Sequence, residues 1–482
     1  MSASFDVLVI GGGVIGSAVA RELSRYRLSI AVVERNLDVC NETSGRNTGV
    51  CHGGFAYDTG SWKAKLCVQG NQMMGDLSEE LGFDFRRSGK VLVGNTPAER
   101  ASLEKTREQG IRNGVQGLEM IDSERLHRMI PGVIGQFALY SPQSGIIDPF
   151  GYTIALAENA AWNGVLYFFA HPATEAHFHN GIWTVIAGGE EFRSRWVVNA
   201  SGIGYRAVSD MLGFPPYHVV YSKDDYIILD DRLGKDVPMP IYTVPSNTYM
   251  GIHVTPTTDG NLLLGPTAEN TGDNRYYGVE KKNIDALVQN AMAIWPHFTK
   301  ADFIRTYSGI LAKWADENGV IQDFRMEVKN HAVNLVGMES PGLTASVPIA
   351  RHVIALMEEE EKFPENPSFC PERPKPLQFR EMSDQEREEA IRKDPRWGKL
   401  VCRCRKVSQA EILQAIDNPL GVHTMTGIKY RTHTMMGRCQ GGYCQMAIEQ
   451  MVEQETGEKP QDVRYCREGS WMFTGKVREA GR

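Results

Sequence analysis

The chain has 482 residues, 42% hydrophobic and 23% charged, with a formal net charge of −7. That composition fits a globular protein of roughly two to four domains. It gives no reason to expect general affinity for nucleic acid or acidic membranes, and no apolar run reaches the ~18 residues of a membrane span. Met1 runs almost directly into the first strand, so no signal peptide is expected. Nine cysteines without a secretion signal point to the cytoplasm and to metal or redox chemistry rather than a disulfide frame.

Asp6–Ile10 has strand composition, Ser17–Leu23 reads as a helix, and Ile30–Val33 is a second strand ending on Glu34. Between the first two lies Gly11-x-Gly13-x-x-Gly16, the turn of a dinucleotide-binding βαβ unit. Gly11 permits the tight turn, Gly13 leaves room for a pyrophosphate, and Gly16 lets the helix approach the strand. The pyrophosphate then rests on the helix N-terminus, near Val14 and Ile15. Glu34 stands 18 residues past Gly16, where a carboxylate accepts from a ribose 2′-OH and repels a 2′-phosphate. It argues for FAD or NAD over NADP, and the motif does not separate those two; neighbouring Arg35 is a further candidate cofactor contact.

Asn41–Gly54 is polar and glycine-rich, which suits a loop rather than a core strand or helix. Its place after Glu34 is where dinucleotide folds bind ligands. Ser44, Asn47, Thr48 and Gly49 are candidate cofactor contacts, and His52 is a candidate base. The run Ser44–Gly54, followed by Lys63–Gly70, resembles the D-amino-acid-oxidase superfamily of FAD enzymes. It is most similar to the branch of L-2-hydroxyglutarate and anaerobic glycerol-3-phosphate dehydrogenases. The resemblance spans roughly residues 1–360. It implies that this loop runs beside the flavin ring, with His52 near the reacting carbon.

The same resemblance assigns the middle of the chain. Residues 81–144, with charged helices at Pro97–Asn113 and Asp122–Met129, belong to a substrate cap. Ser144–Pro149 returns the chain to the flavin domain and starts a helix over Phe150–Asn163. Thr174 and Glu175 mark where backbone meets adenine. Ser201 and Gly202 close a buried strand at a second glycine turn near the cofactor. Gly202-x-Gly204 is too short for a second dinucleotide site, so a separate NAD site is not expected. From Tyr221 to Phe298, alternating segments at Asp225–Leu229, Ile241–Val244 and Asn261–Leu264 suggest an antiparallel sheet. Within it, the resemblance sets His253 across the substrate from the flavin.

Gly309 lies in Tyr307–Lys313, counted with the cofactor contacts. Leu311 stands where relatives usually have an arginine that grips a substrate anion. Leucine cannot form that charge pair, so Lys313 or another arginine must substitute, or the substrate lacks an anion there. Gly342, Leu343 and Thr344 begin a helix, Leu343–Met357, whose N-terminus points at the flavin; this distant segment favours FAD.

Five prolines between Phe363 and Arg380, then a charged run, read as a linker over 361–395. Beyond it, Cys402-x-Cys404 and Cys439-x4-Cys444 form two close pairs. Four thiolates suit a [2Fe–2S] cluster or one zinc. Val401–Cys404, Gly427–Tyr430 and Met436–Cys444 resemble the bacterioferritin-associated-ferredoxin-like [2Fe–2S] domain, which selects iron–sulfur.

The expected fold class is α/β. A Rossmann-like FAD-binding domain (1–80, 145–220, 300–360) interleaves with an α+β cap of mainly antiparallel sheet (81–144, 221–299). A small helical [2Fe–2S] module and tail occupy 396–482. The implied function is an FAD-dependent dehydrogenase of a small secondary alcohol, a 2-hydroxy acid or a glycerol 3-phosphate-like molecule. His52 or His253 takes the hydroxyl proton while hydride passes to flavin N5. The cluster hands electrons singly to a partner, a flavoprotein subunit or ferredoxin-like chain, in an oligomer or hetero-complex. Two other readings stand beside it: an amine or amino-acid dehydrogenase subunit, and a non-catalytic electron-transfer subunit.

Overall fold

The computed structural model describes residues 3–244 and 251–475; residues 245–250 of the expected cap and 476–482 of the expected tail lie outside the described residues. Strand β1 (Ala3–Ile10) sits inside a sheet, parallel to Glu190–Asn199 on one side and to β2 (Ile30–Val33) on the other. Val7, Leu8 and Val9 are fully buried, as a parallel strand covered on both faces requires. Ala332–Val336 extends this sheet beyond Glu190–Asn199, and an antiparallel hairpin, Ala173–His179 with Ile182–Ala187, closes one edge.

Helix α1 (Val14–Leu23) begins three residues before the expected Ser17, directly at the glycine turn, and buries all ten of its residues. Gly11 has φ +113°, and a Cβ on Gly16 would stand 1.9 Å from the Gly11 carbonyl oxygen. Both glycines are therefore demanded by the turn itself. The helix Gly342–Glu358 packs against α1 and against α2 (Trp62–Leu81).

The second sheet carries nine strands and is mostly antiparallel. Ile241–Thr243 joins its two halves by running parallel to Lys90–Gly94. Phe303–Ala315, expected within the FAD-binding segment 300–360, instead pairs with His218–Leu229 along almost its whole length. The physical reason is its length: one long strand reaches from the cap core back to the dinucleotide half.

Within segment 361–395, expected as a linker, residues 364–373 form a packed strap, while the charged helix Asp384–Lys393 buries none of its residues. Arg27 N–H donates to the Pro364 carbonyl at 2.8 Å. Buried Arg373 forms a salt bridge with Glu158 at 2.8 Å, and Asn159 Nδ2 donates to the carbonyls of Cys370 and Glu372. Fixed polar anchors of this kind override the flexibility that proline-rich composition implies.

The C-terminal module has its own core around Ile412, Ile428, Ile448 and Val452. It docks through buried charges. Arg431 bridges Asp38 and Glu158, and His433 lies between Asp148 at 3.1 Å and Asp259 at 2.9 Å. Burial opposes the imidazolium, yet the two carboxylates hold His433 up at about 10. Tyr430 stacks on Phe150 with centroids 4.1 Å apart.

Candidate active site

A cavity of about 350 Å³ opens where the two sheets meet. Its floor is the glycine turn, with Gly13, Val14 and Ile15 at the N-terminus of α1. Gly342 and Leu343 bring a second helix N-terminus into the same wall. Neither N-cap residue, Gly13 nor Pro341, supplies a side-chain hydrogen bond to its helix; Ser44 and the Glu339 carbonyl take the first N–H of each, and both positive ends face the cavity. Glu34 is buried; its carboxylate accepts from Gly12 N–H at 2.7 Å and Asn36 N–H at 2.8 Å. Burial raises its pKa against those donors.

The polar loop folds on itself to face the cavity. Asn47 Nδ2 donates to the Thr43 and Ser44 carbonyls, and its Oδ1 accepts from Gly49 N–H. Ser44 Oγ accepts from Val14 N–H at 2.9 Å. Ser44, Asn47 and Thr48 all line the cavity. This cradle fits FAD: two helix N-termini for the pyrophosphate and ring, and a buried acid at the ribose distance along the second strand.

His52 and His253 face the same space. His52 N–H donates to Thr344 Oγ1 at 3.0 Å, and its carbonyl accepts from Asn71 Nδ2 at 3.0 Å. Desolvation, then the nearby Lys90 and His253, lower its pKa well below the ordinary histidine value. The ring is therefore neutral at pH 7 and ready to accept a proton. His253 stacks on Tyr242 with centroids 3.2 Å apart.

Other expected contacts stand outside the lining. Gly202 lines the cavity, but Ser201 donates to Asn199 Oδ1 at 2.6 Å. Gly309 gives way to the Arg46 carbonyl, which a Cβ would meet at 2.1 Å. Arg35 is exposed and paired with Glu42. Thr174 and Glu175 lie on the exposed edge hairpin.

Three side chains escaped the sequence reading. Lys90 is 3% exposed, and its ammonium lies against the Tyr242 and Phe55 rings; desolvation lowers its pKa to about 8. Asp224 and Tyr226 line the cavity from the strand His218–Leu229. Burial raises the Asp224 pKa to about 7 against the pull of Lys313. A lysine heading the apolar run Lys90–Gly94 was the available signal for the first; His218–Leu229 has no alternation that would mark the others. Leu311 and Lys313 share the cavity wall with Asp224, so a lysine stands beside Leu311 in the lining.

The four thiols gather in the module. Cys402 and Cys404 sulfurs are 3.8 Å apart, and Cys404 and Cys439 3.9 Å; Cys444 contacts Cys402. Tetrahedral thiolates with bonds of about 2.3 Å to one metal stand at about this separation. Among the described residues no three His, Cys, Asp or Glu side chains converge on a single point; the sulfurs form a chain of neighbours instead. Backbone N–H groups of Arg405 and Met435 point at Cys402 Sγ, and donors of that kind stabilise an anionic cluster.

Two helix N-termini facing one cavity with His52 and His253 suit a flavin-dependent oxidoreductase. Residues 6–356 match the family described as FAD dependent oxidoreductase, and residues 400–454 match the BFD-like [2Fe-2S] binding domain. The chain belongs to the FAD dependent oxidoreductase family, and its cofactors are FAD and a [2Fe–2S] cluster. It is similar to the glycerol 3-phosphate dehydrogenase of Caloramator mitchellensis, at 33% identity covering 98% of this chain and 99% of that one. The mitochondrial L-2-hydroxyglutarate dehydrogenase of Homo sapiens is 29% identical over 72% of this chain and 88% of its own. Among solved structures, the dithionite-reduced L-alpha-glycerophosphate oxidase of Mycoplasma pneumoniae with FAD bound aligns with a TM-score of 0.72. It is 26% identical and covers 77% of this chain and 98% of its own. Glycine oxidase from Geobacillus kaustophilus, at 21% identity, TM-score 0.66 and coverage of 77% and 100%, shares the fold. No helix among the described residues is long and apolar enough to cross a membrane.

Proposed function

We propose that the chain is a dehydrogenase of a small secondary alcohol bearing an anionic group, glycerol 3-phosphate first and a 2-hydroxy acid second. One observation carries the reading: His52, His253 and Lys313 face a single cavity. The similarity along nearly the whole chain to a glycerol 3-phosphate dehydrogenase supports it. Bound FAD supplies the two-electron acceptor. His52, held neutral by burial, accepts the hydroxyl proton. Lys313 attracts the phosphate or carboxylate, with Leu311 making that wall more apolar than an arginine would. His253, fixed by the Tyr242 stack, orients the carbinol. Gly13–Ile15, Gly342–Thr344, Glu34 and the Ser44–Gly49 loop hold the cofactor. Cys402, Cys404, Cys439 and Cys444 hold the cluster, which passes electrons to a protein partner in a cytoplasmic hetero-complex.

Asp224 favours a second reading, since a buried carboxylate in the cavity also suits a substrate ammonium. Anaerobic addition of glycerol 3-phosphate, L-2-hydroxyglutarate, glycine and proline separates the two. Bleaching of the flavin band by the hydroxy compounds is expected. Bleaching by the amines alone assigns the amine chemistry, and no bleaching by any of them leaves an electron-transfer subunit.

A further inference from the structure

We propose that the exposed face of the cluster loop is a docking surface for an acidic, one-electron carrier protein. The proposal rests on the dehydrogenase reading for its electrons but not for its geometry. Between residues 396 and 446 the sequence has eight lysines and arginines against two acids, in a chain of net charge −7. That local reversal of sign is concentrated where the sulfurs reach the surface. Cys404 is exposed, flanked by exposed Arg403 and, two residues on, exposed Lys406. Of the eight, Arg396, Arg405, Arg431 and Arg438 are held in salt bridges; among the described residues no carboxylate engages Arg403 or Lys406.

Tyr443, immediately before Cys444, is 86% exposed. It contributes an aromatic ring at the mouth of the cluster with nothing among the described residues to cover it. An exposed aromatic beside unpaired cations is the composition of an interface centre and its steering rim. The cations select an acidic partner, and the exposed thiol places the cluster at the contact. Oxidation of one carbinol releases two electrons and two protons, so two carrier molecules are each reduced by one electron per turnover. The protons leave to solvent through the base.

The test uses the full holoenzyme with two probe proteins, the acidic haem domain of a b5-type cytochrome and the basic cytochrome c. Binding is read by calorimetry at about 50 and 300 mM salt, and cytochrome reduction by absorbance. The b5 domain is expected to bind at least ~10-fold more weakly at the higher salt. Arg403→Glu/Lys406→Glu is expected to weaken it by a further ~10-fold or more, while reduction of a small neutral dye stays unchanged. Arg403→Gln/Lys406→Gln is the milder variant, and retained cluster absorbance certifies that either is folded. Salt-independent binding, preference for cytochrome c, or no effect of charge reversal overturns the proposal. Loss of dye reduction in the unaltered enzyme sinks the dehydrogenase reading instead and leaves the binding measurement standing.

Discussion

Lys90 holds its ammonium 4.2 Å from the centroid of the Tyr242 ring, and Tyr242 in turn stacks on His253. The same buried cation helps to depress His52. A lysine with no carboxylate partner among the described residues thus sits behind both candidate acid–base groups. Its desolvation is unfavourable for folding, and its field adds to the burial that lowers the His52 pKa.

Lys90→Met therefore has two opposite effects. The acid limb of the flavin-reduction rate is set by His52, which burial and then Lys90 hold below the ordinary histidine value, and it moves up when Lys90 is removed. Denaturant melts at pH 7 show a gain of about 1–3 kcal/mol, because a buried unpaired cation is replaced by an apolar chain. The sign of the linkage supports this. Between about pH 8 and the ordinary lysine value of 10.5, the folded state binds fewer protons than the unfolded one. Stability of the unaltered protein rises with pH in that window. Lys90→Arg keeps the acid limb in place.

Replacing the base tests the chemistry directly. His52→Asn slows anaerobic flavin reduction by about 10²–10⁴-fold. His253→Asn slows it less. Both variants keep stoichiometric FAD, since neither ring forms the glycine cradle. Stopped-flow bleaching with unchanged flavin content is the check.

The anion assignment falls on Lys313. Lys313→Met raises KM for glycerol 3-phosphate by about 10–100-fold, equivalent to ~1.4–2.8 kcal/mol of lost binding, with a smaller change in kcat. Leu311→Arg lowers KM if Asp224 does not capture the new guanidinium. Steady-state kinetics at several substrate concentrations separate these outcomes.

Module docking depends on Arg431. Arg431→Ala leaves Asp38 and Glu158 short of a buried partner and destabilises the assembly by about 3–5 kcal/mol. Limited proteolysis then cuts within 361–395, which the unaltered protein protects. His433 adds a pH limit. Its folded pKa is raised to about 10, so its contribution is complete below the unfolded histidine value and lost as pH passes about 10.

Much of this was legible in the residues. The βαβ unit was readable because glycine spacing and strand apolarity are local. The helices Pro97–Arg112 and Asp384–Lys393 announce themselves through capping boxes at Thr96 and Ser383. The four cysteines were readable because few residue types do their work. What escaped was long-range. Phe303–Ala315 crosses from one half to the other by pairing with His218–Leu229, a relation no local window contains. The strap's rigidity comes from Arg373 and Asn159 meeting partners more than 200 residues away in sequence. The burial of Lys90 was out of reach because the burial of a cation is decided by its tertiary neighbours, here Phe55 and Tyr242.

The central claim is that substrate electrons enter at the glycine-cradled flavin and leave through the C-terminal thiols. Purify the protein without oxygen, add glycerol 3-phosphate, and follow the absorption and low-temperature paramagnetic resonance spectra together. The expected result is loss of the yellow flavin band with a reduced [2Fe–2S] signal that Cys402→Ser abolishes. A colourless preparation, a cluster site holding only zinc, or a bleached flavin beside a cluster that stays oxidised would contradict it.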